Sequence, residues 1–113
     1  MRAPKRSHCP ISLSLEVVGD RWSLLILRDL ILFGKRRYGE VLESAESIST
    51  NILANRLRQL EKAGLISRSV EASGQVVYEP TKKGADLETV LRELGKWGLK
   101  HHPYARKPRV AIS

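Results

Sequence analysis

The chain has 113 residues, 42% hydrophobic and 28% charged, with 20 Lys+Arg against 12 Asp+Glu. That length holds one domain around one core, which excludes a multi-layer enzyme fold, and no apolar run approaches the ~20 residues of a spanning helix. The single Cys9 excludes an internal disulfide and any metal cage built from several cysteines, so the chain reads as a soluble, cytoplasmic protein without membrane partner or cofactor.

Residues 1–8 read as a basic, disordered lead. Arg2, Lys5 and Arg6 charge it, but no apolar stretch follows, so no signal peptide is expected. Pro10 suits the first turn of a helix, where its missing N–H is no loss. Ile11, Leu13, Leu15 and Val18 carry that helix to Gly19. Asp20 is a good N-cap for a second helix through Trp22, Leu25, Ile26, Leu30 and Phe33, which Gly34 stops. Lys35-Arg36-Arg37 is a basic linker. Tyr38 to Ser44 makes a short helix with Tyr38, Val41 and Leu42 facing inward.

Ser49 caps a longer helix over 50–63, with Leu53, Leu57 and Leu60 on one face. Gly64 ends it in a left-handed cap with Leu65 folding back. The period then changes to two. Ile66, Arg68 and Val70, then Val76 and Tyr78, flank Ala72-Ser73-Gly74-Gln75 and predict a β-hairpin. Thr81 is expected to cap one last helix through Leu87, Val90, Leu91, Leu94 and Trp97, ended by Gly98 and Pro103, with residues 103–113 as a basic tail.

This order predicts a mainly α fold with a small β-hairpin (α+β), the winged helix-turn-helix arrangement, over residues 9–102. The net charge is +8. Its excess sits in the ends, since residues between Glu16 and Glu93 balance 12 basic against 12 acidic groups. Basic arms attract phosphate without reading sequence. The helix over 50–63 is more informative. With its leucine seam inward, Asn51, Asn55, Arg58 and Lys62 face outward at about 100° per residue, flanked by Ala54 and Gln59. Thr50 and Asn51 lie at the N-terminal end, where a recognition helix meets base edges. Asn can pair bidentately with adenine, and Arg with guanine or phosphate. Thr50, Asn51, Ala54 and Asn55 are therefore the candidate base readers. Lys35, Arg36, Arg37, Ser49, Arg56 and Arg58 are the candidate phosphate contacts on double-stranded DNA.

Several segments together resemble a known family. They are Cys9-Pro10-Ile11, the run from Gly19 to Leu27 with Asp20-Arg21-Trp22, and Arg37-Tyr38-Gly39-Glu40-Val41-Leu42. Ile48-Ser49, Arg56 to Ile66, Val77 to Gly84 and Trp97-Gly98 complete the set. In this order, over residues 9–98, the chain resembles the HxlR-type (MarR-like) winged-helix transcription regulators of bacteria and archaea. The resemblance implies a homodimer built on the first and last helices, with Ile11, Leu15, Leu91, Leu94 and Trp97 at the interface, and an imperfectly palindromic operator. Family members repress or activate, and several respond to oxidants or electrophiles through an N-terminal cysteine.

The chain departs from the family in its wing. Ser73-Gly74-Gln75 lacks the usual Pro and cation, with Glu71 nearby, so Lys35–Arg37 and the basic ends are left to supply phosphate contacts. Pro80 lacks the N–H of a strand residue and should end the second strand.

Cys9 carries two readings: a thiol switch at a helix N-terminus, with Arg6 and His8 near in sequence, or a small residue packed between subunits. His8, Cys9, His101 and His102 are ligand types without a metal-site spacing, so no metal is expected. No Gly-rich phosphate loop, nucleophile elbow or His-Glu-x-x-His pattern points to an enzyme. The rival function is a winged helix used for protein–protein interaction, with only non-specific DNA affinity from the basic ends. The operator, the effector and the sign of regulation are not written in the sequence.

Overall fold

Side-chain caps decide where the helices start. In the computed structural model, which describes residues 7–106, Asp20 accepts from the backbone N–H groups of Trp22 and Ser23, and Ser49 from that of Ile52. Helix α1 spans Pro10–Val18, α2 Arg21–Ile31, α3 Tyr38–Leu42 and α4 Thr50–Lys62. Strands β1 (Ile66–Val70) and β2 (Val76–Pro80) follow, then α5 (Lys82–Ala85) and α6 (Glu88–His101). The strands pair antiparallel, with Arg68 opposite Tyr78 and Ile66 opposite Pro80, where the ladder ends. Of the lead assigned to residues 1–8 and the tail assigned to 103–113, positions 1–6 and 107–113 lie outside the described residues.

The core lies where α2 and α4 cross beneath the hairpin. Ile26, Leu27 and Leu30 from α2 meet Leu53, Leu57 and Leu60 from α4. Val41, Ile48, Leu65, Ile66 and Leu91 close the cluster. Burying each of these side chains stabilises the fold by roughly 1.5–3 kcal/mol. The end of α4 is set locally. Gly64 has φ +79°, its N–H reaches the Glu61 carbonyl at 3.0 Å, and the Leu65 N–H reaches the Leu60 carbonyl at 3.0 Å. That pair of bonds is the Schellman arrangement, and it turns the chain directly into β1. Lys83 adds a cation there, its ammonium donating to the Ala63 carbonyl at 2.8 Å.

The C-terminal third differs from the sequence expectation in two ways. One helix from Thr81 was expected, and two form. Thr81 is pinned at the α4–β1 corner, its hydroxyl donating to the Gly64 carbonyl at 2.6 Å and its N–H to the Leu65 carbonyl at 3.0 Å. A Cβ on Gly84 would lie 2.0 Å from the Leu65 carbonyl oxygen, so α5 sits tight against that corner. The chain must then change direction to lay α6 along α2, and the break at Asp86-Leu87 does this. Gly98, expected as a stop, lies inside α6. The helix continues to His101, because the residue before Pro103 is the one driven out of the helical region, and His102 is extended with ψ 123°.

Candidate nucleic-acid interface

Helices α3 and α4 form a helix-turn-helix whose second member is presented by its own seam. Leu53, Leu57 and Leu60 are buried, so Thr50, Asn51, Arg58, Gln59 and Lys62 are exposed, with Ala54 and Asn55 half-buried beside them. Glu61 is exposed on the flank of the same surface. The N-terminus of α4 is held from α3, where the Tyr38 hydroxyl donates to the Thr50 carbonyl at 3.0 Å. The entry to α3 is held by Glu40, whose Oε1 accepts from the N–H groups of Arg36 (2.9 Å) and Arg37 (3.0 Å). Those two backbone bonds hold the Glu40 carboxyl below its ordinary pKa.

The turn between α3 and α4 is clamped by a charge network rooted in α2. Arg28 donates to both carboxylate oxygens of Glu46, at 2.8 and 2.9 Å, and from Nε and Nη2 to Asp29 Oδ1, at 3.0 and 2.8 Å. Asp29 is buried, its Oδ2 accepting from the Ser44 hydroxyl with the Lys35 ammonium 3.6 Å away. Burial works against the charge on Arg28, but Glu46 and Asp29 raise its pKa, and the Arg28 bonds in turn lower that of Glu46. Sequence reasoning missed this network. Its one signal was the pair Arg28-Asp29 interrupting an apolar run, a costly placement unless both charges find partners.

The expected phosphate contacts are placed unequally. Ser49, at the N-cap of α4, and Arg58, in its C-terminal half, are exposed. Lys35 donates to Ser44 at 2.8 Å. Arg36 turns inward, its Nη1 donating to the carbonyls of Leu30 (2.7 Å) and Lys35 (2.8 Å), where it closes the end of α2. Arg37 reaches the wing, donating to Gln75 Oε1 at 2.7 Å and Glu71 Oε1 at 3.0 Å. Arg56 lies against Asp20, with Nε 2.9 Å from Oδ2. The sequence showed four cations at these positions, and only the fold shows that each has a partner. Arg68 was not among the sequence candidates. It is exposed on β1, borders the same cavity as Tyr38, Ala54, Arg58 and Tyr78, and has no ionic or hydrogen-bond partner among the described residues.

The wing tip, Ser73, Gly74 and Gln75, is exposed and carries no cation. Its connection to Arg37, together with the bond from the Tyr78 N–H to the Arg36 carbonyl at 2.7 Å, fastens the hairpin to the entry of α3.

A second surface is apolar. Ile11 (72% exposed) and Leu15 lie one turn apart on α1, and Val90, Leu94 (53%) and Trp97 (64%) form a stripe on α6. Leu91, expected on that stripe, faces the other way and is 7% exposed within the core. Position 90 takes its place, since the face of α6 that packs on α2 is the one Leu91 occupies. Cys9 is exposed as the N-cap residue of α1, its N–H donating to the Ser7 hydroxyl at 3.0 Å. Among the described residues no group of three or more His, Cys, Asp or Glu is placed to hold a metal ion, and no helix is long and apolar enough to cross a membrane.

The family model of the HxlR-like helix-turn-helix matches residues 17–106. The chain is 39% identical over 92 residues to the uncharacterized HTH-type transcriptional regulator sll1512 of Synechocystis, covering 80% of this chain and 67% of that one. It is 34% identical over 92 residues to the HTH-type transcriptional regulator YodB of Bacillus subtilis, covering 79% of this chain and 81% of YodB. The solved structure of PA1607, a candidate transcription factor, superposes with a TM-score of 0.82 at 35% identity, covering 93% of this chain and 75% of that one. Reduced YodB superposes with a TM-score of 0.68 at 31% identity, over 88% of this chain and all of that one. A helix-turn-helix with an outward polar helix and a wing, matched at this level along most of its length, makes the chain a winged-helix transcriptional regulator, not an enzyme, and a member of the HxlR-like helix-turn-helix family.

Proposed function

We propose that the chain works in the cytoplasm as a homodimer that places two copies of α4 in successive major grooves of an imperfectly palindromic operator. The observation that carries this reading is the division of the surface. One exposed helix face, from Thr50 to Gln59, is polar and free of acid, while α1 and α6 expose apolar stripes suited to a second copy. In this arrangement Thr50, Asn51, Ala54 and Asn55 read base edges. Ser49, Arg58 and Arg68 meet phosphate. Arg37 joins them by exchanging its exposed wing partners for phosphate, because surface ion pairs contribute only about 0–1 kcal/mol, and Lys35 joins them by releasing Ser44, with Arg28 left to hold the buried Asp29. Arg36 and Arg56 serve chiefly to position their neighbours. Ser73, Gly74 and Gln75 approach the duplex without adding charge, and the basic lead and tail add sequence-independent attraction.

Ile11, Leu15, Val90, Leu94 and Trp97 form the dimer contact. Cys9, next to it, is the proposed redox-responsive position, on the strength of its exposure and of the relative YodB, which has been crystallised diamide-treated and quinone-bound. Two Cys9 thiols, one per protomer, would lose two electrons and two protons to an oxidant such as diamide and form an intersubunit disulfide. Diamide treatment followed by non-reducing electrophoresis should give a covalent dimer that a reductant reverses, and a thiol left unmodified rejects the switch.

Operator reading is tested by fluorescence anisotropy with the DNA flanking the chain's own gene and with a scrambled duplex, at low and at physiological salt. Binding that persists at physiological salt only on the native DNA is expected. Equal binding to both duplexes, lost together as salt rises, would leave only non-specific attraction and favour a protein-interaction role.

A further inference from the structure

The amide of Asn55 is not free to turn. Arg56 donates from Nη1 to Asn55 Oδ1 at 2.6 Å and from Nε to Asp20 Oδ2 at 2.9 Å. Asp20 is itself fixed. Its Oδ2 also accepts from the N–H groups of Trp22 (3.1 Å) and Ser23 (3.0 Å), and its Oδ1 accepts from the Ser23 hydroxyl at 2.5 Å. Burial would raise the Asp20 pKa, but Ser23 and Arg56 more than offset it and hold the carboxyl below its ordinary value. The anchor therefore keeps its charge at neutral pH.

A guanidinium has donors only, so the atom of Asn55 that faces it must be the oxygen. The amide nitrogen then points away from Arg56. Asn55 lines a groove on the α4 surface together with Arg58, Gln59, Glu61 and Lys62. Free asparagine reads adenine by accepting from N6 and donating to N7 at once. Here an adenine amino group must compete with a charged donor for Oδ1, and charge-assisted bonds are the stronger kind. A base edge that only accepts meets no such competition. Polarisation of the carbonyl by Arg56 also strengthens the amide N–H groups as donors.

Building on the assignment of α4 as the base-reading helix, we propose that Arg56, anchored by Asp20, is a specificity-determining positioning residue. It locks Asn55 as a donor, so that this position selects a major-groove acceptor edge, guanine O6/N7 or thymine O4, against adenine. Asn51 has no such neighbour holding its side chain among the described residues and keeps the ordinary adenine-reading capacity.

Selection of duplexes from a randomised library by the full chain tests the assignment. The operator position read by Asn55 is the one whose preference flattens in Asn55→Ala. Guanine or thymine is expected there with the native protein, and adenine there overturns the proposal. Arg56→Met, which frees Oδ1, should raise the relative affinity for adenine at that position alone by about five- to tenfold, the scale of one base-edge contact. Arg56→Lys, which keeps a donor, should retain the native preference. An Arg56→Met preference identical to the native one overturns the proposal, as does an Asn55→Ala variant that flattens no position.

If Arg56→Met fails to fold, base analogues with the native protein decide. Removing or weakening each acceptor in turn, by 7-deazaguanine and by 6-thioguanine for guanine or by 4-thiothymine for thymine, should weaken binding at that position with at least one analogue, and affinity unchanged by all of them rejects the donor lock. A library without preference at any position would instead reject the reading of α4 itself.

Discussion

Helices α4 and α6 are built alike and end differently. Each is about four turns long and buries leucine toward α2, Leu53, Leu57 and Leu60 in one and Leu91 in the other. Their outward faces diverge. That of α4 carries Asn51, Arg58 and Gln59, which water and a polyanion both suit. That of α6 carries Val90, Leu94 and Trp97, which water does not suit. The inward face of a helix says where it packs in its own chain, and the outward face says what else it meets.

The contrast breaks most severely from the inside. Leu53 is fully buried, and Leu53→Ala should lower unfolding free energy by about 2–5 kcal/mol in a denaturant titration. A change within experimental error would mean that α4 is not seated by its leucine seam.

The outward face of α6 should behave in the opposite way. Leu94→Glu with Trp97→Glu is expected to leave the secondary structure intact while light scattering reports monomer. Operator affinity should fall on the order of 100-fold, since buried anchors of an interface each contribute about 2 kcal/mol or more. A dimer that survives both charges would move the subunit contact elsewhere.

On the outward face of α4 the effects should be smaller and confined to DNA. Asn51→Ala should weaken operator binding by about 1–3 kcal/mol and relax preference at one base pair, with the melting temperature unchanged. Arg58→Ala should weaken all duplexes alike and reduce the salt slope by about one unit. An Arg58→Ala protein with the native salt slope would remove that residue from the phosphate set.

The smallest effect concerns the clamp beneath the turn. Arg28 lowers the pKa of Glu46 in the folded state, so the pair contributes stability above the ordinary carboxylate range and loses it as pH falls through the lowered folded-state value. Thermal midpoints should be flat between about pH 7 and 5 and fall in more acidic buffer, and Glu46→Gln should make that acid limb shallower. An acid limb identical in the variant would show that the clamp contributes nothing measurable.

Much of this was legible without a fold because it is local. Asp20, Ser49 and Thr81 cap helices by reaching N–H groups two or three residues away. Gly64-Leu65 ends α4 through bonds within one turn, and the change of period at Ile66 marks the hairpin. The resemblance carried by segments such as Asp20-Arg21-Trp22 and Arg56 to Ile66 pointed to the family before any contact was known. Side-chain destinations were not legible. Arg36, Arg37 and Arg56 look alike as cations in a string of letters, yet one closes α2, one holds the wing and one locks Asn55.

The sequence by itself determined the order of elements, the leucine seam of α4 and the polar character of its outer face, because periodicity and capping act over a few residues. The tertiary structure alone decided that the last helix breaks after α5, that Leu91 turns into the core and Val90 out of it, and that the Asn55 oxygen is engaged by an anchored Arg56. Those outcomes depend on groups far apart in the chain, the Leu65 carbonyl against Gly84 and Asp20 against Arg56. Only packing brings such partners within hydrogen-bonding distance.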